Sequence, residues 1–356
     1  LCVIRSQNRK FTVKQFLFFD QLRAVMMGLQ TNRIEVIGRM GIPIGNQMLR
    51  AAISVIGFPL TFMQAALSQY EGDKYKPQGE LVRVGPRSLH AIVSGKSNPA
   101  CPTVVLEAGM GGCALDWSLV QPKLSIYTKI LSYDRAGFGW STGTLERPTC
   151  KHYVEDLRGL LSELKLAPPY LLVGHSYGGM IMRMFAAEYP DEVAGIVLVD
   201  ATHERRFLEE HLESSRKTKR NKHRLKYKLG YLLSTIGVPR MVRQHVGTKR
   251  LPVCVQKHVT AMGYRSSAYR AAYLEYLHVE ESAAQLVRSR PLRADMPIAV
   301  LTAANQTEEW LEGQKVLLQL SKETQHTIVE DSWHAIQIHK PQAVIDAVVR
   351  LLNALV

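Results

Sequence analysis

The chain has 356 residues, 46% of them hydrophobic, and a net charge of +14. That composition excludes a disordered chain and suits one sizeable domain with additions, or two smaller domains. Five scattered cysteines (Cys2, Cys101, Cys113, Cys150, Cys254) exclude a Cys-x-x-Cys metal site and a disulfide framework, and leave the redox compartment open.

The chain opens at Leu1, as a fragment or an imperfect gene model would. Residues 11–30 are apolar but carry Lys14, Asp20 and Arg23, which predicts an amphipathic helix rather than a membrane span. Residues 51–67 carry no charge, and about 17 residues is the short end of what crosses a bilayer. Pro59 and Gln64 weaken a spanning helix without forbidding it. The segment reads as an anchor or interfacial helix, giving a membrane-associated protein, or as a helix packed on the main domain of a cytoplasmic one. Basic residues on both sides leave its orientation open. A hydrophilic stretch, 69–79, closes an N-terminal extension over residues 1–78.

Glu80 to Val84 and Ser88 to Val93 predict two strands around a Gly-Pro turn. Residues 102–107 form a buried-type strand that runs into Ala108-Gly109-Met110-Gly111-Gly112. With no Gly-Lys-Ser/Thr ending, this loop is not a phosphate cradle of the P-loop kind. Residues 129–134 make another strand, followed by Arg135-Ala136-Gly137-Phe138-Gly139-Trp140-Ser141. Asp134 and Arg135 read as braces of that loop rather than as reacting groups. Residues 151–166 place Val154, Leu157, Leu160, Leu161 and Leu164 on one helical face.

Next comes Tyr170-Leu171-Leu172-Val173-Gly174-His175-Ser176-Tyr177-Gly178-Gly179, and then the helical pattern Met180 to Ala187. Strand, Gly-x-Ser-x-Gly and helix together are the context of a nucleophile elbow. A strand follows at 193–200. Strands alternating with helices indicate a mainly parallel sheet covered on both faces.

Residues 201–295 interrupt the alternation with charged helical patterns. Eight cations between Arg216 and Lys228 run into Leu225, Leu229, Leu232, Leu233 and Ile236 at helical spacing. This segment reads as a lid over the site, as a membrane-surface helix, or as both. It has neither aromatic interleaving nor a nucleic-acid motif. A strand at 297–303, a helix at 307–321, a strand at 326–330 and a helix at 342–355 complete the chain. The domains are thus a core over 79–205, a helical cap over 206–290 and a second core part over 291–356.

Serine needs a neighbouring base to act as a nucleophile at neutral pH. His334, in the loop after the last strand, is the best placed. His339 is a weaker alternative, and His175 points away from its neighbour Ser176. The orienting carboxylate has three candidates. Asn305 and Gln306 stand where an aspartate is expected. Asp200, at the end of the strand beside the nucleophile strand, is the first choice, with Glu308 and Glu309 as alternatives.

These pieces together resemble the α/β-hydrolase fold family of the alpha/beta hydrolase-1 type. They are residues 105–112, 133–141, 174–179, 197–200 and Ser332-Trp333-His334, and the resemblance covers about 79–205 and 291–356. It implies Ser176 as nucleophile, His334 as base, and the backbone N–H groups of Met110 and Tyr177 as an oxyanion hole. It implies a serine hydrolase and says little of the substrate; the apolar lid and the membrane-contact reading point to apolar or lipid-like esters, and no cofactor, metal or nucleic-acid partner is expected. It disfavours dehalogenases and epoxide hydrolases, which carry an aspartate at the position of Ser176. A non-catalytic binding protein, or an acyltransferase or peptidase with the same groups, is the alternative.

Overall fold

An eight-stranded sheet frames the computed structural model, which describes residues 41–98, 100–208 and 214–355. The strands are β1 Glu80–Val84, β2 Arg87–Ser94, β3 Thr103–Glu107, β4 Ile130–Tyr133, β5 Tyr170–His175, β6 Val193–Val199, β7 Ile298–Ala303 and β8 Thr324–Val329. Their order is β1-β2-β4-β3-β5-β6-β7-β8. The first two joints, β1 to β2 and β2 to β4, are antiparallel, and all others are parallel. This is the mainly parallel sheet expected from the alternating pattern, in the α/β-hydrolase arrangement that the resemblance implies.

Parallel strands covered on both faces read as unbroken apolar runs, and every residue of β5 is buried. Alternate side chains feed two cores. Val105, Leu172 and Ile196 pack with Leu157 and Leu160 of helix α3 (Cys150–Glu163) and with Ile181 and Phe185 of helix α4 (Tyr177–Glu188). Val104, Leu171 and Val197 face the other way, onto Trp117 and onto Val344, Val348 and Leu351 of the C-terminal helix Pro341–Ala354.

Between β6 and β7 the chain adds α5 Ser214–Leu233, α6 Val253–Gly263, α7 Ser266–Leu277 and α8 Val279–Arg288. The leucine stripe expected over 225–236 is divided. Leu232 is buried with Tyr231 and Tyr273, while Leu225 and Leu229 are exposed. After β7, helix α9 covers Glu308–Leu317 and stops short of residue 321, because β8 starts at Thr324 to pair with Ile298.

Residues 51–67 are not one helix. The chain breaks at Gly57 into Ile44–Ile56 and Phe58–Lys74, bent by 96°. Glycine ends the first helix and Pro59 opens the second, which is the usual stop-and-start signal. Among the described residues no single helix is long and apolar enough to cross a membrane. The helix expected within residues 11–30 lies outside the described residues.

Candidate active site

Ser176 closes β5 and opens α4 with φ 52° and ψ −120°. That left-handed backbone is costly for serine, and the surroundings hold it there. The Ser176 N–H donates to the Val199 carbonyl at 3.1 Å, and the Ser176 carbonyl accepts from Gly179 and Thr202 N–H groups, both at 3.0 Å. A Cβ on Gly174 would meet the Gly178 carbonyl oxygen at 2.6 Å, and one on Gly178 would meet the Ala108 and Glu107 carbonyl oxygens at 2.6 Å. Both glycines therefore serve close backbone approach, and the helix seats directly on the strand. The result lifts the Ser176 side chain out at the positive end of α4.

His334 comes from the loop after β8. Its Nε2 lies 2.9 Å from Ser176 Oγ, and its Nδ1 lies 2.7 Å from Asp200 Oδ2. Asp200 is fully buried at the end of β6, with φ 41°. Its backbone N–H donates to the Leu301 carbonyl at 2.7 Å. Its Oδ1 accepts from Ala303 N–H at 3.1 Å and from Trp310 Nε1 at 3.0 Å. Its Oδ2 accepts from Gln306 Nε2 as well as from the imidazole. With Nδ1–H directed at Asp200, the neutral imidazole presents its Nε2 lone pair to the Ser176 hydroxyl. Thr202 Oγ1 lies 3.3 Å from the same hydroxyl.

The sequence-predicted residues Ser176, His334 and Asp200 are thus brought together. Glu308 and Glu309, the alternative acids, are not. Glu308 is exposed in the first turn of α9, and Glu309 pairs with Arg206 at 3.0 Å. The chain turns away after Gln306, so these carboxylates leave the imidazole and an amide takes their place beside it. His339 is exposed and lies beside Trp333, with ring centroids 5.8 Å apart and the planes tilted by 41°. His175 is buried beneath His334, ring centroids 4.8 Å apart, and donates its Nε2–H to the His334 carbonyl at 3.1 Å. Burial first, and His334 second, hold the His175 imidazole well below the ordinary histidine value, so it is neutral.

Met110 and Tyr177 flank the Ser176 side of this constellation, Met110 in the loop after β3 and Tyr177 at the first position of α4. A Cβ on Gly109 would meet Ser176 Cβ at 3.2 Å, so the loop lies against the serine. Arg135 holds it there, donating to the Ala108 carbonyl at 2.8 Å and the Gly109 carbonyl at 2.7 Å. Arg135 is itself buried between Glu107 and Glu275. Glu275, on α7, also accepts from Gly111 N–H at 2.8 Å and from Tyr153 Oη at 3.0 Å. Asp134 braces the neighbouring turn, accepting from Ala114 N–H at 2.8 Å and Trp140 N–H at 2.9 Å. Asp116, buried under the same loop, accepts from Thr248 Oγ1 at 2.8 Å, and burial pushes its carboxyl up to about 6.

Sequence reasoning missed four members of this site. Gln306 was read only as the absence of an aspartate. Trp310 hydrogen-bonds Asp200 and sets its ring edge-on to His334 at 5.0 Å. Thr202 sits beside Ser176. Glu275 joins α7 to the loop at Gly111. Among the described residues there is no group of three or more His, Cys, Asp or Glu able to hold a metal ion.

The sequence profile of the alpha/beta hydrolase fold matches residues 102–229. An AB hydrolase superfamily protein from Gibberella zeae is 30% identical over 140 residues, covering 36% of this chain and 44% of that protein. The chain spans less than half the length of the curated relatives it matches, 39% and 44% for two of them. A thermophilic esterase from Thermogutta terrifontis is similar in structure, with a TM-score of 0.55 at 20% identity over 79% of this chain and 99% of that one. The haloalkane dehalogenase DatA from Agrobacterium tumefaciens C58 is similar too, with a TM-score of 0.61 at 16% identity over 78% and 97%. Such distant likeness carries the fold and leaves the reaction to the site residues.

Proposed function

The chain belongs to the α/β-hydrolase fold family, and on that premise we propose that it is a serine hydrolase that cleaves carboxylic esters through an acyl-enzyme. The carrying observation is the relay from Ser176 Oγ to His334 Nε2 at 2.9 Å and from His334 Nδ1 to Asp200 at 2.7 Å. His334 takes the hydroxyl proton as Ser176 Oγ attacks the ester carbonyl carbon. Negative charge gathers on the carbonyl oxygen, where the N–H groups of Met110 and Tyr177 receive it. The tetrahedral centre collapses, the alcohol leaves with the proton from His334, and Ser176 remains acylated. Water, deprotonated by His334, then repeats the attack and releases the acid. Asp200 keeps the imidazole in the productive tautomer and offsets its positive charge.

The acyl group is apolar in this reading. Phe138, Trp140, Val246 and Met262 line the seam between the Gly111 loop and the inserted helices; its cavity of about 10 Å³ has room for a water and not for an acyl chain, so the support it gives an apolar substrate is the apolar character of these walls. The inserted helices then act as a lid. An acyltransferase or peptidase would use the same groups, and product analysis with added alcohol acceptors separates these outcomes. A non-catalytic binding protein has no need of a buried carboxylate orienting His334, and Asp200 speaks against it.

Labelling with a fluorophosphonate probe tests the proposal. Ser176 in the folded protein should label, and labelling should vanish in Ser176→Ala and His334→Ala. A folded protein that does not label would overturn the reading.

A further inference from the structure

The bent helix pair Ile44–Ile56 and Phe58–Lys74 is amphipathic the wrong way round for a water-facing surface. Four of its polar side chains, Asn46, Arg50, Gln64 and Glu71, point inward, while Gln47 and the other polar residues at the end of the second helix stay exposed. Asn46 donates to Tyr273 Oη at 3.1 Å, and Arg50 donates to the Tyr231 carbonyl and stacks over that ring. Gln64 donates to the Tyr264 carbonyl at 2.8 Å and accepts from Arg240 at 3.0 Å, and Glu71 pairs with the same Arg240. Gln64 is the one buried residue of the second helix, and the first has none. The apolar side chains point outward instead: Met48 is 68% exposed, Val55 76%, Ile56 85%, Phe58 67% and Phe62 68%. Between Arg50 and Glu71 the sequence carries no charge. A soluble helix buries its apolar stripe and hydrates its polar one. Here the polar stripe is consumed by the body of the protein, so the outward stripe calls for an apolar medium.

The lengths decide how that medium is met. Thirteen and 17 residues make rods of about 20 and 25 Å, against about 30 Å of bilayer hydrocarbon. The 96° bend keeps them from adding up to one span. Both rods are also tied to the folded body along their inner faces, so neither can leave it to enter a bilayer end-on. They fit the interface, lying in its plane.

The adjoining helix supplies the charge. α5 contacts the first rod through Arg50 and Tyr231. Over its 20 residues it has no acidic side chain, and Lys217, Lys219, Lys222, Arg224 and Lys226 are exposed. Leu225 and Leu229 are exposed among them, 54% and 44%. Exposed cations beside exposed leucines, on a helix packed against an outward apolar surface, complement anionic lipid headgroups.

We infer that the helix pair and α5 form a monotopic docking surface for an anionic lipid bilayer, with the outward apolar stripe immersed in the headgroup boundary and the α5 cations on the headgroups. This goes beyond the catalytic reading and does not depend on it.

Flotation of the full chain with vesicles tests the inference, without any measurement of activity. The vesicles are phosphatidylcholine alone, or phosphatidylcholine with about one-fifth phosphatidylserine. The chain should float with the mixed vesicles. Val55→Asp/Phe62→Asp, with both positions already facing out, should keep the thermal midpoint and lose binding by about tenfold or more. Lys222→Glu/Lys226→Glu should weaken binding to the mixed vesicles and leave the weaker binding to neutral ones. Undiminished binding by the aspartate variant overturns the inference. So does binding indifferent to phosphatidylserine and to the glutamate variant. A dimer in the absence of lipid that the aspartate variant dissociates, with no flotation, would show that a second copy covers the stripe and would also overturn it.

Discussion

Gln306 donates its side-chain amide to the same Asp200 oxygen that receives the Nδ1–H of His334. Where a carboxylate was expected from the sequence, an amide therefore supports a carboxylate that arrives from the neighbouring strand end. Gln306 Nε2 also lies 3.4 Å from His334 Nδ1, so the three side chains form one cluster. The charge comes from β6, and the segment after β7 supplies only donors to it.

Asp200→Asn should abolish most activity. An asparagine can donate to Nδ1 and favour the wrong imidazole tautomer, a change worth on the order of 10⁴ in kcat where a triad aspartate is replaced. Glu308→Gln and Glu309→Gln should stay within about twofold of the unmodified chain, since an exposed carboxylate and a surface ion pair with Arg206, neither bonded to the imidazole, contribute little. Rates of fluorophosphonate labelling and of p-nitrophenyl ester cleavage compare all three, and equal losses would contradict the assignment.

Gln306→Leu removes one charge-assisted donor from Asp200 while leaving Ala303 N–H and Trp310 Nε1 in place. A rate loss of about tenfold is expected. Gln306→Glu sets a second carboxylate against Asp200 and should cost more than Leu, because like charges at contact are strongly unfavourable. If Gln306→Leu matched the unmodified rate, the amide would be filling space only.

Glu275→Ala strips Arg135 of one of its two carboxylate partners and removes the acceptors of Gly111 N–H and Tyr153 Oη. Breaking a buried charge network in this way costs about 3–5 kcal/mol. Urea denaturation should show the loss, and labelling of Ser176 should slow because the loop that carries Met110 loosens. Glu275→Gln keeps an acceptor for Gly111 and should recover more of the labelling rate than of the stability.

Asp116 predicts an unusual pH dependence. Its folded value, pushed up to about 6 by burial, lies above the ordinary aspartate value of about 3.9. The folded chain therefore holds this proton longer than the unfolded chain. Stability from this group is full below about 4 and falls as pH rises to about 6. Asp116→Asn, which still accepts from Thr248, should match the unmodified chain near pH 4. It should exceed it by up to about 3 kcal/mol above pH 7. A stability difference that does not grow with pH between those limits would refute the prediction.

The legible parts of the chain share one property: the signal is local. β5, the elbow and α4 lie within twenty consecutive residues, and a run of buried apolar residues ending in Gly-x-Ser-x-Gly identifies them. Asp200 was legible because it ends a recognisable strand. Gln306, Trp310 and Glu275 were not, because their meaning depends on partners 106, 110 and 164 residues away. A strand end, a loop amide and an inserted helix meet only when the sheet places β6 beside β7 and the insertion folds back over the β3 loop. The break at Gly57 is written locally, as glycine followed by Pro59, inside a stretch whose lack of charge is the stronger signal. Which way that stretch faces could not be read, since polar residues at Asn46, Arg50 and Gln64 look like interruptions until their tyrosine and arginine partners are known.

The bond from Gly111 N–H to Glu275 bears on how such a chain can change over time. An inserted helical segment is readily pictured as an exchangeable part, traded between hydrolases while the sheet stays constant. In this chain a glutamate of the insertion holds an amide of the loop beside Ser176 and is one of two carboxylates paired with the arginine that fixes the same loop. A foreign insertion grafted between β6 and β7 would have to bring both an acceptor for Gly111 and a second anion for Arg135. The insertion and the loop beside Ser176 are therefore matched to each other, and exchanging one alone would leave buried polar groups unpaired.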